Sequence, residues 1–337
     1  MRGSPTAVTQ VTHARGIIAA HRRCPMIRNI LLALFCAAAL APALAFDLQG
    51  HRGARGLAPE NTLRAFELAL EIGVTTLELD IGVTADGVAV VHHDPALNPA
   101  TTRDASGAWL AGRGPRIGAL TFAQLQGYDV GRIAPDTPYA RTFSLQQPHD
   151  GARIPSLAQV FELAKARAGR VRFNIETKLF PDQPDATVAP EAMVDAVLRE
   201  VAAAGVADRV TIQSFDWRSL QRVQQVAPAI PTAYLSSRNV NDAAWTAGLR
   251  LADHGSVPRM VKAAGGRTWA PSGNTLTEAL VREAQALDLK VVPWTINEPA
   301  DMERLIGWGV DGLITDYPDR LRAVLQRRGM PLPAPAR

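Results

Sequence analysis

From Asp47 to the end of the chain, short apolar or alternating runs take turns with amphipathic helical patterns. This rhythm constrains the fold more than any other feature, because neighbouring parallel strands need a crossover long enough to hold a helix. Strands are predicted at 48–52, 76–83, 88–93, 171–178, 209–215, 232–236, 268–271, 290–296 and 312–316. Between them, residues 60–72 place Leu63, Phe66, Ala69 and Leu70 on one helical face, and 192–204, 276–287 and 300–308 repeat that spacing. Nine strands are one too many for a closed eight-stranded barrel. The connection Thr84-Ala85-Asp86-Gly87 is a turn signal and too short for a helix. Residues 81–91 are therefore read as a hairpin, with Val83 opposite Val88 and Glu78 opposite His93. The return arm leaves the count, and the α/β chain is expected to form a (β/α)8 TIM barrel over 46–337.

Residues 95–150 break the rhythm. They are rich in Gly, Pro, Asp and Arg, with one short helical piece near 122–125. A loop of this length inside a compact domain is usually functional or disordered. It begins just after His93, so it is read as an insertion forming a small cap beside the barrel mouth.

The first 45 residues do not read as part of the fold. Met26 is a good start, Arg28 a short basic region, residues 30–40 an apolar run, and Ala43-Leu44-Ala45 a small-residue cleavage site. This is the layout of a secretory signal peptide, cleaved after Ala45; a membrane anchor is the alternative. An exported protein, in a bacterial periplasm, is the expectation. Five of the 36 basic residues and no acidic ones lie in this leader, so 31 basic residues face 32 acidic ones in the remainder. That balance gives no support for a nucleic-acid partner or for stable membrane association after cleavage. Both cysteines, Cys24 and Cys36, also fall in the leader, which excludes disulfides and thiolate metal sites from the mature chain.

Apart from Glu78 and Asp80, which lie within a predicted strand, the chemistry-bearing residues fall at predicted strand ends, where barrel enzymes keep their active sites. Glu78 and Asp80 share one face of a strand, with Leu77, Leu79 and Ile81 on the other. Two carboxylates facing a barrel centre repel unless a cation or proton lies between them. Glu176 and Lys178 repeat the spacing in Asn-Ile-Glu-Thr-Lys. A surface ion pair would explain either pair in isolation. Oxygen ligands without cysteine favour Ca²⁺ or Mg²⁺, with Mn²⁺ a further option. His51 ends the first strand and titrates near neutrality, and Arg52 beside it offers a bidentate fork for phosphate. Of His92 and His93, the hairpin register turns His93 to the site and His92 away. Asp94 either orients an imidazole or turns the chain towards Pro95, the turn being preferred. Three carboxylates, two imidazoles and two cations fit metal-assisted attack at phosphorus, which is a phosphodiesterase or phosphatase.

The series His51-Arg52-Gly53, Pro59-Glu60-Asn61-Thr62, Glu78-Leu79-Asp80 and His93-Asp94 resembles the glycerophosphodiester phosphodiesterase family in order and spacing. Later segments fit as well: Ile175-Glu176-Thr177-Lys178, Gln213-Ser214-Phe215, Trp294-Thr295-Ile296-Asn297 and Ile314-Thr315-Asp316-Tyr317-Pro318. The insertion and leader look like the periplasmic branch. The resemblance implies a (β/α)8 barrel, with Glu78, Asp80 and Glu176 as ligands of one divalent cation. It implies His51 and His93 as the acid–base pair, Arg52 and Lys178 as phosphate-binding cations, and Trp294 packing on the glycerol carbons or into a core layer. The implied reaction takes a small-molecule glycerophosphodiester to sn-glycerol 3-phosphate and an alcohol. Two rivals remain: a phospholipase D-like or phosphoinositide-cleaving enzyme on the same barrel, and an exported protein that binds phosphodiesters without cleaving them. Ala85 stands where the family often carries Lys, Thr177 replaces a usual aliphatic residue, and 98–102 lack an Arg often found there. These departures bear on head-group preference.

Overall fold

The computed structural model describes Thr12, residues 46–168 and residues 170–336. Apart from Thr12, the predicted leader lies outside the described residues. Nine strands form one sheet: β1 Asp47–Gly50, β2 Thr76–Val83, β3 Ala89–Val91, β4 Arg172–Thr177, β5 Val210–Ser214, β6 Thr232–Ser236, β7 Thr268–Pro271, β8 Lys290–Val291 and β9 Gly312–Thr315. Eight of them run parallel in the order β8-β7-β6-β5-β4-β2-β1-β9, and β3 lies off this path, antiparallel to β2. Backbone bonds from Asp311 to Val291 (2.9 Å), Ile314 to Pro293 (3.0 Å) and Ile296 to Ile314 (3.0 Å) bring the two ends of that order together. The result is a nearly closed (β/α)8 barrel.

Helices fill the crossovers where the apolar spacing predicts them, with shifted ends. The helix expected from residue 60 starts at Leu63, because the Thr62 side chain accepts from the Ala65 amide and caps it. It ends at Gly73, whose φ of 89° is the left-handed conformation a glycine stop supplies. The helices Leu157–Arg167, Trp217–Val226 and Pro318–Arg327 lacked a sequence prediction. Leu77, Leu79, Ile81, Phe173 and Ile175 are buried with Phe66 and Phe161 from the surrounding helices in the main core. Alternation then turns Thr76, Glu78, Asp80, Asn174 and Glu176 to the barrel axis. The parallel register sets Asp80 beside Glu176 and Glu176 beside Gln213. No helix among the described residues is long and apolar enough to cross a membrane.

The hairpin register differs from expectation by one residue: Val83 pairs with Ala89, Gly82 with Val90 and Ile81 with Val91. The Thr84 amide bonds the Val88 carbonyl at 3.1 Å, so three residues rather than four make the loop. Gly87 supplies the left-handed φ of 79° that such a loop needs. Asp80, not Glu78, therefore receives the backbone contact from the return arm, through the His92 amide at 3.0 Å. Beyond Val91 the ladder ends and the chain bends, which frees His93 from strict alternation.

Leu97, Ile117, Leu125 and Val130 of the insertion form a small second core with Val90 of β3 and Ile154. The insertion carries the short helices Phe122–Leu125 and Pro138–Thr142. At the mouth, Gly53 has φ +86°, and a Cβ there would meet the Ala65 carbonyl carbon at 2.6 Å. Gly107, at φ +85°, has open space around it. Gly107→Ala should cost about 1 kcal/mol from the backbone conformation alone. Gly53→Ala should cost roughly 2–4 kcal/mol, since the backbone it strikes cannot move aside. Thermal unfolding of the two variants measures the difference, and equal losses would contradict this packing.

Candidate active site

Glu78, Asp80 and Glu176 are 1%, 0% and 6% exposed, and one carboxylate oxygen from each lies within 4.8 Å of the others. Directed donors and cations surround this trio on the protein side. Glu78 accepts from the Arg52 amide at 2.9 Å and from Gln213 Nε2 at 2.7 Å. Asp80 Oδ2 accepts from Asn61 Nδ2 at 2.9 Å, with Arg52 Nε 3.1 Å away. Glu176 Oε1 accepts from Lys178 Nζ at 2.7 Å. Below them a buried layer of Gln49, Asn174 and Gln213 fixes the Gln213 amide: Asn174 Nδ2 donates to Gln49 at 2.8 Å and to Gln213 at 2.9 Å.

Compensation stops short at one atom. Asp80 Oδ1 is buried and has no hydrogen-bond partner; its nearest cation, Lys178 Nζ, is 3.7 Å away. Burial, then repulsion from Asp80 and Glu176, pushes the Glu78 carboxyl well above its ordinary range. Burial raises Glu176 to about 7 against the pull of Lys178. For Asp80 burial also acts upward, but Arg52, His93 and Lys178 outweigh it and hold the group well below the usual carboxylate range. Three crowded carboxylates, one with an unmatched oxygen, fit a hard divalent cation such as Mg²⁺ or Ca²⁺.

Two imidazoles flank the trio. His51 Nδ1 lies 2.6 Å from Asp316 Oδ1, and its Nε2 is 3.9 Å from Glu78. Asp316 is itself gripped by Arg55, through Nε at 2.7 Å and Nη2 at 3.0 Å, and by Asn297 Nδ2 at 2.7 Å. His93 Nδ1 lies 2.7 Å from Asp94 Oδ1, and Asn98 Nδ2 holds the other Asp94 oxygen at 2.9 Å. Asp94 thus orients an imidazole, which corrects the preference for a turn role. Burial, then Arg55, lowers His51 to about 4; burial, then Lys178, lowers His93 to about 4. Both rings are neutral at pH 7. A carboxylate on Nδ1 draws the proton there and leaves Nε2 as the acceptor.

His51, Arg52, Glu78, His93, Glu176, Lys178 and Trp294 line one cavity of about 240 Å³, and Asp80 sits against it within the carboxylate trio. Trp294 is partly buried, donates from Nε1 to the Ala270 carbonyl at 2.9 Å and meets Phe215 edge-on at 5.2 Å. The side chains that sequence reasoning did not assign are mainly supports. Glu60, Asn61 and Gln213 fix Arg52, Asp80 and Glu78, while Asp316 and Arg55 fix His51. Asp316 follows directly on β9 and ends the strand predicted there, as Glu176 lies one residue from the end of β4, so the strand-end rule applied to it equally. Arg55 carries no local signal.

The model of the glycerophosphoryl diester phosphodiesterase family matches residues 51–320. A Bacillus subtilis glycerophosphodiester phosphodiesterase is 30% identical over 278 residues, covering 81% of this chain and 84% of that protein. A solved structure from Silicibacter pomeroyi, provisionally described as a glycerophosphoryl diester phosphodiesterase, is 38% identical with TM-score 0.78 over 86% of this chain and 96% of that one. An Oleispira antarctica phosphodiesterase, solved in complex with its product sn-glycerol 3-phosphate, has TM-score 0.63 at 22% identity, over 82% of this chain and 96% of that one.

A cation entering the trio must displace the proton that Glu176 holds below about 7 and compete with protonation of Glu78, whose carboxyl burial also pushes well above its ordinary range. Calorimetric Mg²⁺ affinity should therefore weaken as pH falls through that value, by about tenfold per unit for one displaced proton. Affinity that stays flat across this range would contradict the assignment of these carboxylates to a cation.

Proposed function

The chain belongs to the glycerophosphoryl diester phosphodiesterase family, and from that premise we propose that it cleaves glycerophosphodiesters to sn-glycerol 3-phosphate and an alcohol in the cavity between His51 and His93. The observation that carries the reading is the pairing of a buried, incompletely compensated carboxylate trio with two carboxylate-backed imidazoles in one cavity. The Bacillus subtilis relative and the product complex of the Oleispira antarctica enzyme support the substrate class.

Glu78, Asp80 and Glu176 would hold the divalent cation. When bound, it supplies Lewis acidity and charge neutralisation for the phosphoryl group. Arg52 and Lys178, both buried, attract the phosphodiester and stabilise the charge that builds on its oxygens. Their carboxylate partners hold them in place before substrate arrives, so little reorganisation accompanies the reaction. Phe215 and Trp294 offer an apolar wall for glycerol carbons while the polar side of the cavity takes the phosphate.

The imidazoles handle protons. With Nδ1 of each ring facing an aspartate, Nε2 of one accepts the proton of the attacking oxygen, either a water or a glycerol hydroxyl whose cyclic product a water then opens. The other ring, protonated as the anionic substrate raises its pKa, gives a proton to the departing alkoxide. Asp316 and Asp94 stabilise whichever ring carries the charge.

Purified protein supplied with Mg²⁺ or Ca²⁺ should release sn-glycerol 3-phosphate from glycerophosphocholine. His51→Asn or His93→Asn should lower kcat by roughly 10²–10⁴-fold without loss of fold. Turnover of intact phospholipid in place of glycerophosphocholine would move the enzyme to lipid chemistry. Binding without release would make it a capture protein.

A further inference from the structure

The insertion reaches the phosphate-binding side of the site through one segment, residues 139–147. The Tyr139 hydroxyl donates to Glu60 Oε2, and the other oxygen of that carboxylate takes Arg52 Nη1 at 2.7 Å. Phe143 follows at i+4, its ring edge-on to Tyr139 at 4.8 Å, and the Arg55 guanidinium sits 4.6 Å above the Phe143 centroid. Gln146 Nε2 donates to the Arg55 carbonyl at 2.7 Å. The Gln147 amide donates to the Leu57 carbonyl at 2.9 Å. Four successive contacts thus fall on one short turn, the turn that carries both arginines lining the cavity.

That turn needs outside support. Arg52 has φ +50°, a conformation that non-glycine residues adopt only when their surroundings impose it. Its Nε lies 3.1 Å from Asp80 Oδ2 without a well-directed bond, while Nη1 donates to Glu60 at 2.7 Å, so the Glu60 bond is the better directed hold on the guanidinium fork. Glu60 in turn is held from the far side by Tyr139. The segment is tied back on both sides: the Ala134 amide donates to the Ala100 carbonyl at 2.8 Å and the His149 amide to the Gly131 carbonyl at 2.7 Å.

We propose that the insertion is a working part of the active site: residues 139–147 clamp the arginine turn, and Tyr139 is the positioning residue for Arg52, acting through Glu60 on affinity for the substrate phosphate. This rests on the reading of Arg52 as a phosphate-binding cation. The chain of contacts predicts an effect on binding and none on proton transfer, since neither Tyr139 nor Phe143 lines the reacting cavity.

The test is calorimetric affinity for sn-glycerol 3-phosphate with Mg²⁺ present, beside kcat and KM on glycerophosphocholine. Tyr139→Phe, which removes only the hydroxyl, should weaken product binding and raise KM by roughly tenfold, the scale of one charge-assisted hydrogen bond. kcat and the melting temperature should stay near wild type. Glu60→Gln should show the same loss, and adding Tyr139→Phe to it should add nothing further, as expected for residues acting in series. Gln146→Ala, on the other arm of the clamp, should also raise KM. Unchanged product affinity in Tyr139→Phe, additive losses in the double variant, or a fall confined to kcat would overturn the proposal. A wild type that binds glycerol 3-phosphate but does not hydrolyse glycerophosphocholine would sink the hydrolysis reading, and the clamp would still stand or fall on the affinities.

Discussion

Three carboxylates buried within 4.8 Å of one another are the constraint to which the rest of the site answers. Such a cluster is untenable in a protein interior unless protons, cations or directed donors offset it. The chain supplies Arg52 and Lys178 as charges, and the Arg52 amide, Asn61 and Gln213 as donors. These partners satisfy the cluster on its protein side and leave Asp80 Oδ1 unmatched. A core built for stability alone would not retain that imbalance, because apolar replacements of buried ion clusters often stabilise. The residual charge is what a divalent cation would meet.

The barrel makes this arrangement possible by bringing strand ends to one rim. β1, β2, β4 and β9 are neighbours in the sheet, and they carry His51, the carboxylates and Asp316. A parallel register then sets Asp80 beside Glu176 without any loop having to find a conformation. The hairpin adds His93 from above, and the insertion returns to press on the arginine turn. Rigid strands hold the charges, while the groups around the substrate come from loops.

The sequence exposed the strand-borne half of this design and hid the loop-borne half. Period-two alternation put Glu78 and Asp80 on one face and Glu176 and Lys178 on another, and a strand end marked the second pair. The same logic placed the short hairpin off the barrel, since four residues cannot make a crossover. Its register slipped because the choice between three and four loop residues depends on Gly87 adopting the left-handed conformation, which spacing does not reveal. His93 faces the cavity all the same, through a bend after Val91 and not through alternation. The pairing of His51 with Asp316 was out of reach, although a predicted strand end marked Asp316: the two lie 265 positions apart. Tyr139 was hidden for a similar reason. It lies in a short helix of the insertion that the sequence pattern did not signal, 79 residues from the glutamate it contacts.

Anomalous scattering from a Mn²⁺-soaked crystal tests the central claim most directly. The account predicts one strong peak coordinated by Glu78, Asp80 and Glu176, with Asp80 Oδ1 among the ligand atoms. Lack of density there in crystals that take up the ion elsewhere, or a peak that leaves Asp80 Oδ1 unliganded, would contradict it.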